Sequence, residues 1–188
     1  MTRDQDQHYI TEILDGKTDS YKHIIRSTKG LVTQIVHRMI AKEWYREDII
    51  QEVYIKVFQN LHHFRNESRL STWIAKVAYN YCLNELKSKR TTILDPEEKL
   101  LPINDLNPDP LKQAMQQDIQ EKIQSEIDKL PAIYKLTIGL YHQEELSIED
   151  ISTITGIPAG TIKSHLFRAR AQLAKQLSEK YSKTELNI

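Results

Sequence analysis

Four of this chain's six prolines fall within residues 91–110 (Pro96, Pro102, Pro108 and Pro110), and that cluster constrains the fold more than any other feature. Proline donates no amide hydrogen bond and pushes the residue before it out of the helical region, so a continuous helix cannot run through the stretch. Asp95, Glu97, Glu98, Asp105 and Asp109 lie in the same segment and favour hydration over burial. A hydrophobic core is therefore expected on each side. The sequence predicts a first domain over residues 1–90, a flexible acidic linker over 91–118 and a second domain over 119–180.

Both flanks carry helical periodicity. Val32, Ile35, Val36, Met39 and Ile40 recur at helical spacing, as do Ile50, Val53, Tyr54, Val57, Phe58 and Leu61, then Ile74, Val77, Ala78, Tyr81 and Cys82. Weaker patterns precede them over residues 4–16 and 20–27. Beyond the linker, Ile119, Ile123 and Ile127 lead to Pro131, and residues 133–141 form another apolar run. Short apolar/polar alternation is scarce and glycine is rare, while Leu, Lys, Gln, Glu and Ala are frequent. The expected fold class is all-α: two small helical domains joined by a flexible linker, the C-terminal one a helix-turn-helix.

That motif is the best defined of all. Ser147 followed by Asp150 resembles a capping box, Gly156 suits the turn that ends a helix, and Pro158 suits the start of the next. Ile148, Ile151 and Ile154 line the first helix, and Ile157 and Ile162 fill the angle between the two. Ile162, Leu166, Ala169, Leu173 and Leu177 then line one face of the last helix. Thr161, Lys163, Ser164, His165, Arg168 and Arg170 are left largely outside the core. Early residues of such a recognition helix reach base edges, and later basic ones neutralise phosphates. Two ordinary packed helices with a solvated charged face are the competing reading.

The net charge of zero hides an uneven distribution. Residues 1–90 hold 15 Lys/Arg against 11 Asp/Glu, residues 91–124 hold 3 against 7, and residues 159–183 hold 6 against 1. Two basic regions thus flank an acidic connector, giving two surfaces suited to phosphates. In the first domain Asp48, Gln51 and Glu52 share one helix face, opposite Ile50, Val53 and Val57. This acidic, amide-bearing face suits a basic partner helix, or simply solvent. Further on, a polar loop with Arg65, Asn66 and Arg69 leads to a helix whose exposed side offers Lys76, Asn80, Asn84 and Lys87. Amides and bases beside aromatics can hold unstacked nucleobases. Trp73 and Tyr81 sit with the apolar stripe and read as core, whereas Asn80 has no packing reason to be where it is.

Several classes of function find no support. No run of about 18 apolar residues exists, so no membrane insertion is expected. The first residues lack a secretory pattern, and the lone Cys82 cannot form an internal disulfide, which implies a cytoplasmic location. His62 and His63 are adjacent and cannot face one site, and no further residues stand at ligand spacing. Without a phosphate-cradling glycine loop or a nucleophile motif, no catalytic residue, metal, cofactor or small-molecule substrate is expected.

Residues 48–61, with Phe64, Arg65, Asn66 and then Ser71, Thr72, Trp73 and Ile74, resemble the core-binding and promoter-melting domain of RNA polymerase sigma factors. Leu130 and Pro131, residues 146–151 and residues 156–170 resemble their C-terminal helix-turn-helix domain. In this order, across a linker, the two halves are similar to the small extracytoplasmic-function (ECF) type. The resemblance implies that Asp48, Gln51, Glu52, Val53 and Lys56 contact the clamp coiled coil of the largest polymerase subunit. It assigns Arg65, Asn66, Arg69, Lys76, Asn80, Asn84 and Lys87 to the start-proximal promoter element, where a base is captured from the opened strand. It assigns Thr161, Lys163, Ser164, His165, Arg168 and Arg170 to the distal element. The implied partners are core RNA polymerase, promoter DNA and an anti-sigma factor.

Three positions depart from the pattern. His165 stands where relatives usually carry arginine, Asn84 where an acidic residue is commoner, and residues 79–86 are poorer in arginine than usual. These bear on the promoter sequence rather than the role. The rival reading is a ligand-responsive helix-turn-helix regulator that binds a palindrome as a dimer without polymerase.

Overall fold

The computed structural model describes residues 3–90 and 110–181, with side chains over 3–88 and 119–181. Regular structure among the described residues is helical. The first half holds α1 (Arg3–Leu14), α2 (Tyr21–Met39), α3 (Arg46–Asn60) and α4 (Leu70–Arg90). The second holds α5 (Pro110–Asp128), α6 (Ala132–His142), α7 (Ile148–Thr155) and α8 (Ala159–Lys180). The extended-linker reading of residues 91–109 lies outside the described residues. Helix α5 starts at Pro110, inside the segment expected to be linker. Proline at a first helical position has its φ already set and gives up an amide that would find no partner there.

The two patterns expected over 20–27 and 32–40 are one 19-residue helix, α2, which buries Ile24, Thr28, Leu31, Val32, Ile35 and Val36 along one side. Thr28 is tolerated there because its hydroxyl lies 2.7 Å from the Ile24 carbonyl and 3.0 Å from the Tyr54 hydroxyl. Helices α3 and α4 pack on this side and bury Ile49, Val53, Val57, Ile74, Ala75, Ala78 and Cys82 completely. Burial pushes the Cys82 thiol up to about 12. Phe58 departs from expectation: it is 41% exposed and meets Tyr21 edge-on at 5.1 Å. Trp73 and Tyr81 are only half-buried, and the buried aromatic of α4 is instead Tyr79.

In the second half, Ser147 caps α7. The Asp150 amide donates to its Oγ at 3.0 Å, and its hydroxyl donates to Asp150 Oδ2 at 2.7 Å. Gly156 ends α7 with φ of 71°, a left-handed conformation that glycine adopts without strain. Ile151, Ile154, Ile162, Leu166 and Ala169 are buried, so the helix-turn-helix packs as its periodicity predicts. Glu126, 2% exposed, ties α5 to the far end of α8 by accepting from Lys129 at 2.6 Å and Lys180 at 2.8 Å. Those two bonds hold its carboxyl below the ordinary glutamate range.

Helix α6 is covered on more than one side. Six consecutive residues, Lys135 to Leu140 (Lys135, Leu136, Thr137, Ile138, Gly139, Leu140), are buried, whereas a surface helix buries one stripe. One side meets α7 and α8, and another meets α2 of the first half, while α7 also lies against α4. The buried residues of both halves accordingly belong to a single cluster.

Candidate functional site

The α3 face predicted to meet a partner is formed. Asp48, Gln51, Glu52 and Lys56 are all exposed, and the Lys56 ammonium lies 5.5 Å from the centre of the Tyr81 ring on α4. Val53 is a correction: with 0% exposure it supports this face from beneath and cannot itself touch a partner. Three residues before Asp48, Tyr45 donates its hydroxyl to Glu85 of α4 at 2.9 Å. Burial first, and then that bond, pushes this hydroxyl up to about 12. Its neighbour Trp44 is 70% exposed, with the Lys42 ammonium 6.0 Å from its ring centre. Sequence reasoning passed over Trp44 because it lies outside every periodic segment. An exposed tryptophan beside charges is the kind of side chain that anchors protein interfaces. Adjoining this face of α3, Gln51, Ile55 and Phe58 with Tyr21, Ile25 and Tyr54 border an open groove of about 730 Å³.

The loop after α3 is clamped by α1, a role the sequence did not disclose. Asn66 has a left-handed backbone with φ of 58°. Its carbonyl accepts from Arg3 at 2.7 Å, and its side-chain amide donates to Gln7 at 2.5 Å. Asn66 is therefore committed to shaping the loop, while Arg65 and Arg69 stay exposed. Phe64 leans on Trp73 at 5.5 Å and fixes the other end of the loop to α4. Arg3, Asp6, Ser68 and Arg69 border a polar cavity of about 600 Å³, and burial raises the Asp6 carboxyl. Along α4, Lys76, Asn80, Asn84 and Lys87 are all exposed, and their spacing of four, four and three residues sets them in one stripe.

On α8, Thr161, Lys163, Ser164, Arg168 and Arg170 are exposed. His165 is half-buried: its ring lies 5.4 Å from Tyr134 of α6, and its Nδ1 is buried without a partner. It sits against its own domain more than it projects. Arg170 is held in place, with its Nε and Nη2 at 3.3 and 3.1 Å from His142 Nε2 and its guanidinium 5.3 Å over the Tyr141 ring. Burial, and then Arg170, lowers the His142 pKa and favours the neutral, accepting imidazole. Phe167 is 74% exposed. It follows buried Leu166, and one residue of helix is a rotation of about 100° that carries it off the core stripe. It lies one turn on from Lys163 and Ser164 on the outward face, where an apolar ring can meet a thymine methyl.

A helix-turn-helix with a basic outward face, packed beside a four-helix unit bearing an acidic face and a polar stripe, defines a two-domain α-helical DNA-binding protein. The family descriptions "Sigma-70 region 2" and "Sigma-70, region 4" match residues 24–92 and 120–173. The ECF RNA polymerase sigma factor SigW of Bacillus subtilis is 30% identical over 178 residues, covering 90% of this chain and 95% of the relative. The RNA polymerase sigma-H factor of Pseudomonas aeruginosa is 26% identical over 186 residues, covering 94% and 96%. The chain belongs to the ECF family of RNA polymerase sigma factors. Two solved structures share the fold. CnrH in complex with the cytosolic domain of CnrY has a TM-score of 0.66 at 14% identity, covering 94% of this chain and 99% of that one. The sigma factor RpoE of Bartonella quintana, in complex with the anti-sigma factor NepR, has a TM-score of 0.67 at 20% identity, covering 86% and 98%. Both halves match a sigma-70 region, which does not favour the rival reading of a stand-alone regulator.

Proposed function

We propose that this sigma factor docks on core RNA polymerase through the α3 face and then reads a promoter at two places. Asp48, Gln51, Glu52 and Lys56 make the polymerase contact, with Trp44 as its apolar anchor. Arg65, Arg69, Lys76, Asn80, Asn84 and Lys87 engage the proximal element, and Asn66 shapes the loop that does so. Thr161, Lys163, Ser164, Phe167, Arg168 and Arg170 engage the distal one. The observation that carries this reading is the simultaneous exposure of three chemically distinct faces, on α3, α4 and α8, while the residues beneath them pack into one core.

Each DNA contact is weak alone. Tethering both to one polymerase makes the second contact intramolecular, so selectivity rises without new contacts. Extruding a base costs a few kcal/mol of stacking, which phosphate and base contacts along α4 offset. The chain itself performs no bond chemistry in this scheme. It works where core polymerase and the chromosome are, in the cytoplasm. Among the described residues no helix is long and apolar enough to cross a membrane. By analogy with the RpoE–NepR complex, an anti-sigma factor is a further partner.

The test is binding to core polymerase together with run-off transcription. Wild type should bind core and initiate at specific promoters, whereas Glu52→Lys should lose both while keeping its helical content. Equal binding by the two proteins, or tight promoter recognition without polymerase, refutes the reading.

A further inference from the structure

The first two turns of α1 bury no side chain of their own. The C-terminal turns of that helix are fixed to their surroundings: Ile10 and Ile13 are buried, the Tyr9 ring stacks on His23 at 4.6 Å, and Glu12 accepts from Ser20 at 2.6 Å. Ahead of Tyr9, Arg3, Asp4, Gln5, Gln7 and His8 are all exposed and Asp6 is only half-buried. What these turns carry instead is two bonds to a single residue of the loop after α3. Arg3 and Gln7 stand one turn apart and share a helix face. The Arg3 guanidinium donates to the Asn66 carbonyl at 2.7 Å, and the Gln7 side-chain oxygen accepts from the Asn66 side-chain amide at 2.5 Å.

Asn66 needs that hold. Its φ of 58° lies in the left-handed region, which is disfavoured for any residue with a Cβ and tolerated best by asparagine and aspartate. The reversal made there sets the path between Arg65 and Arg69, both exposed. The ends of the loop are fixed by other means, with Phe64 against Trp73 at 5.5 Å and Leu70 only 2% exposed. Its middle is fixed by α1. Ser68 and Arg69 border the same polar cavity as Arg3 and Asp6, so releasing the loop from α1 changes where Arg69 stands.

Within the reading of the chain as a sigma factor, we infer that α1 belongs to the promoter-reading apparatus: Arg3 and Gln7 are positioning residues that pre-set the loop of residues 64–69 to capture an unpaired base of the proximal element. Neither touches DNA in this scheme. They raise the fraction of chains whose loop already has the capturing shape, and affinity for opened DNA scales with that fraction. A neutral exposed hydrogen bond shifts such an equilibrium a few-fold, and one donated by a cation shifts it further. The effect is confined to the proximal element, because the outer faces of α3 and α8 take no part in the clamp.

Full-length variants with core polymerase test this. Promoter opening is followed with a fluorescent base analogue, on one promoter and on its single-base variants through the proximal element. Opening should fall about tenfold for Arg3→Ala and about threefold for Gln7→Ala. The loss should concentrate at one base position and flatten discrimination there, with core binding and the thermal midpoint little changed. Arg3→Lys, which keeps a cationic donor, should recover part of it. Asn66→Gly keeps the carbonyl and the left-handed backbone but drops the amide; in that background Gln7→Ala should add nothing, while Arg3→Ala should still act. Hydrogen exchange of the free chain reads the clamp without polymerase: amides of residues 64–69 should exchange several-fold faster in Arg3→Ala. Unchanged exchange, or unchanged discrimination, overturns the inference. So does a loss that is equal at every base position or that tracks a lower midpoint, since α1 would then serve stability alone. A wild type that never binds core refutes the polymerase reading instead, and the exchange result then decides the clamp by itself.

Discussion

Gly156 offers the sharpest quantitative check on the helix-turn-helix. Its φ of 71° lies in the left-handed region, and a Cβ built on it meets nothing within 4 Å. Replacing it therefore adds backbone strain and no collision. For alanine the cost is about 1 kcal/mol, the ordinary penalty of an L-residue in that region. Asparagine, which tolerates the conformation, should cost less, and valine, whose branched side chain crowds its own backbone, should cost more. If the second half melts as its own unit, 1 kcal/mol lowers its midpoint by about 4–8 °C, and by less if the packing of α6 on α2 and of α7 on α4 couples both halves into one transition. Denaturation followed by circular dichroism measures the series. At 25 °C Gly156→Ala should leave run-off transcription nearly unchanged, because a loss of this size still leaves the domain mostly folded. Equal stability for alanine, asparagine and valine would mean that α7 does not end in a left-handed turn, and the derivation of the motif would fail with it.

Other outcomes follow from the exposed faces and the buried charges. Trp44→Ala should weaken binding to core polymerase about tenfold or more, as expected for loss of an aromatic anchor, and should leave the thermal midpoint within about 2 °C; competition binding with labelled core measures it. Arg168→Ala should weaken distal-element binding at every sequence and reduce its salt slope by about one ion, whereas Phe167→Ala should reduce discrimination at a thymine by about 1–3 kcal/mol, both read in polymerase-dependent promoter titrations. Glu126 has a folded pKa depressed below its unfolded value, so its contribution is present above the unfolded glutamate pKa and disappears as pH falls through the lower folded one. Acid melts should show that loss in wild type, and Glu126→Gln should remove it while costing about 2 kcal/mol at neutral pH. His142 acts in the same direction at higher pH: with its folded pKa lowered, stability should fall as pH drops below about 6.5 toward the folded value, and His142→Gln should flatten that slope in melts between pH 5 and 7.

The amino-acid sequence by itself determined the helices, the break between the two halves and the helix-turn-helix, because each depends on local chemistry. Apolar spacing sets a helix face within a few turns, Ser147 and Gly156 act on their own neighbours, and prolines interrupt wherever they fall. The same locality made the exposure of most residues on the α3, α4 and α8 outer faces legible, from Asp48 through Asn80 to Arg168. It misled at the edge of a stripe, where a step of about 100° separates buried Val57 from exposed Phe58. Periodicity names a face without saying how wide its partner is.

Only the tertiary structure decided what lies far apart in the chain and close in space. Arg3 on the loop after α3, His142 under Arg170 and Arg38 over Gly139 are separated by 63, 28 and about 100 residues, respectively. No local pattern marks them, since each is an ordinary polar residue or glycine in an ordinary helix. Their meaning comes from the packing that brings a donor to an acceptor, or a guanidinium to the one residue in α6 that has no side chain to obstruct it.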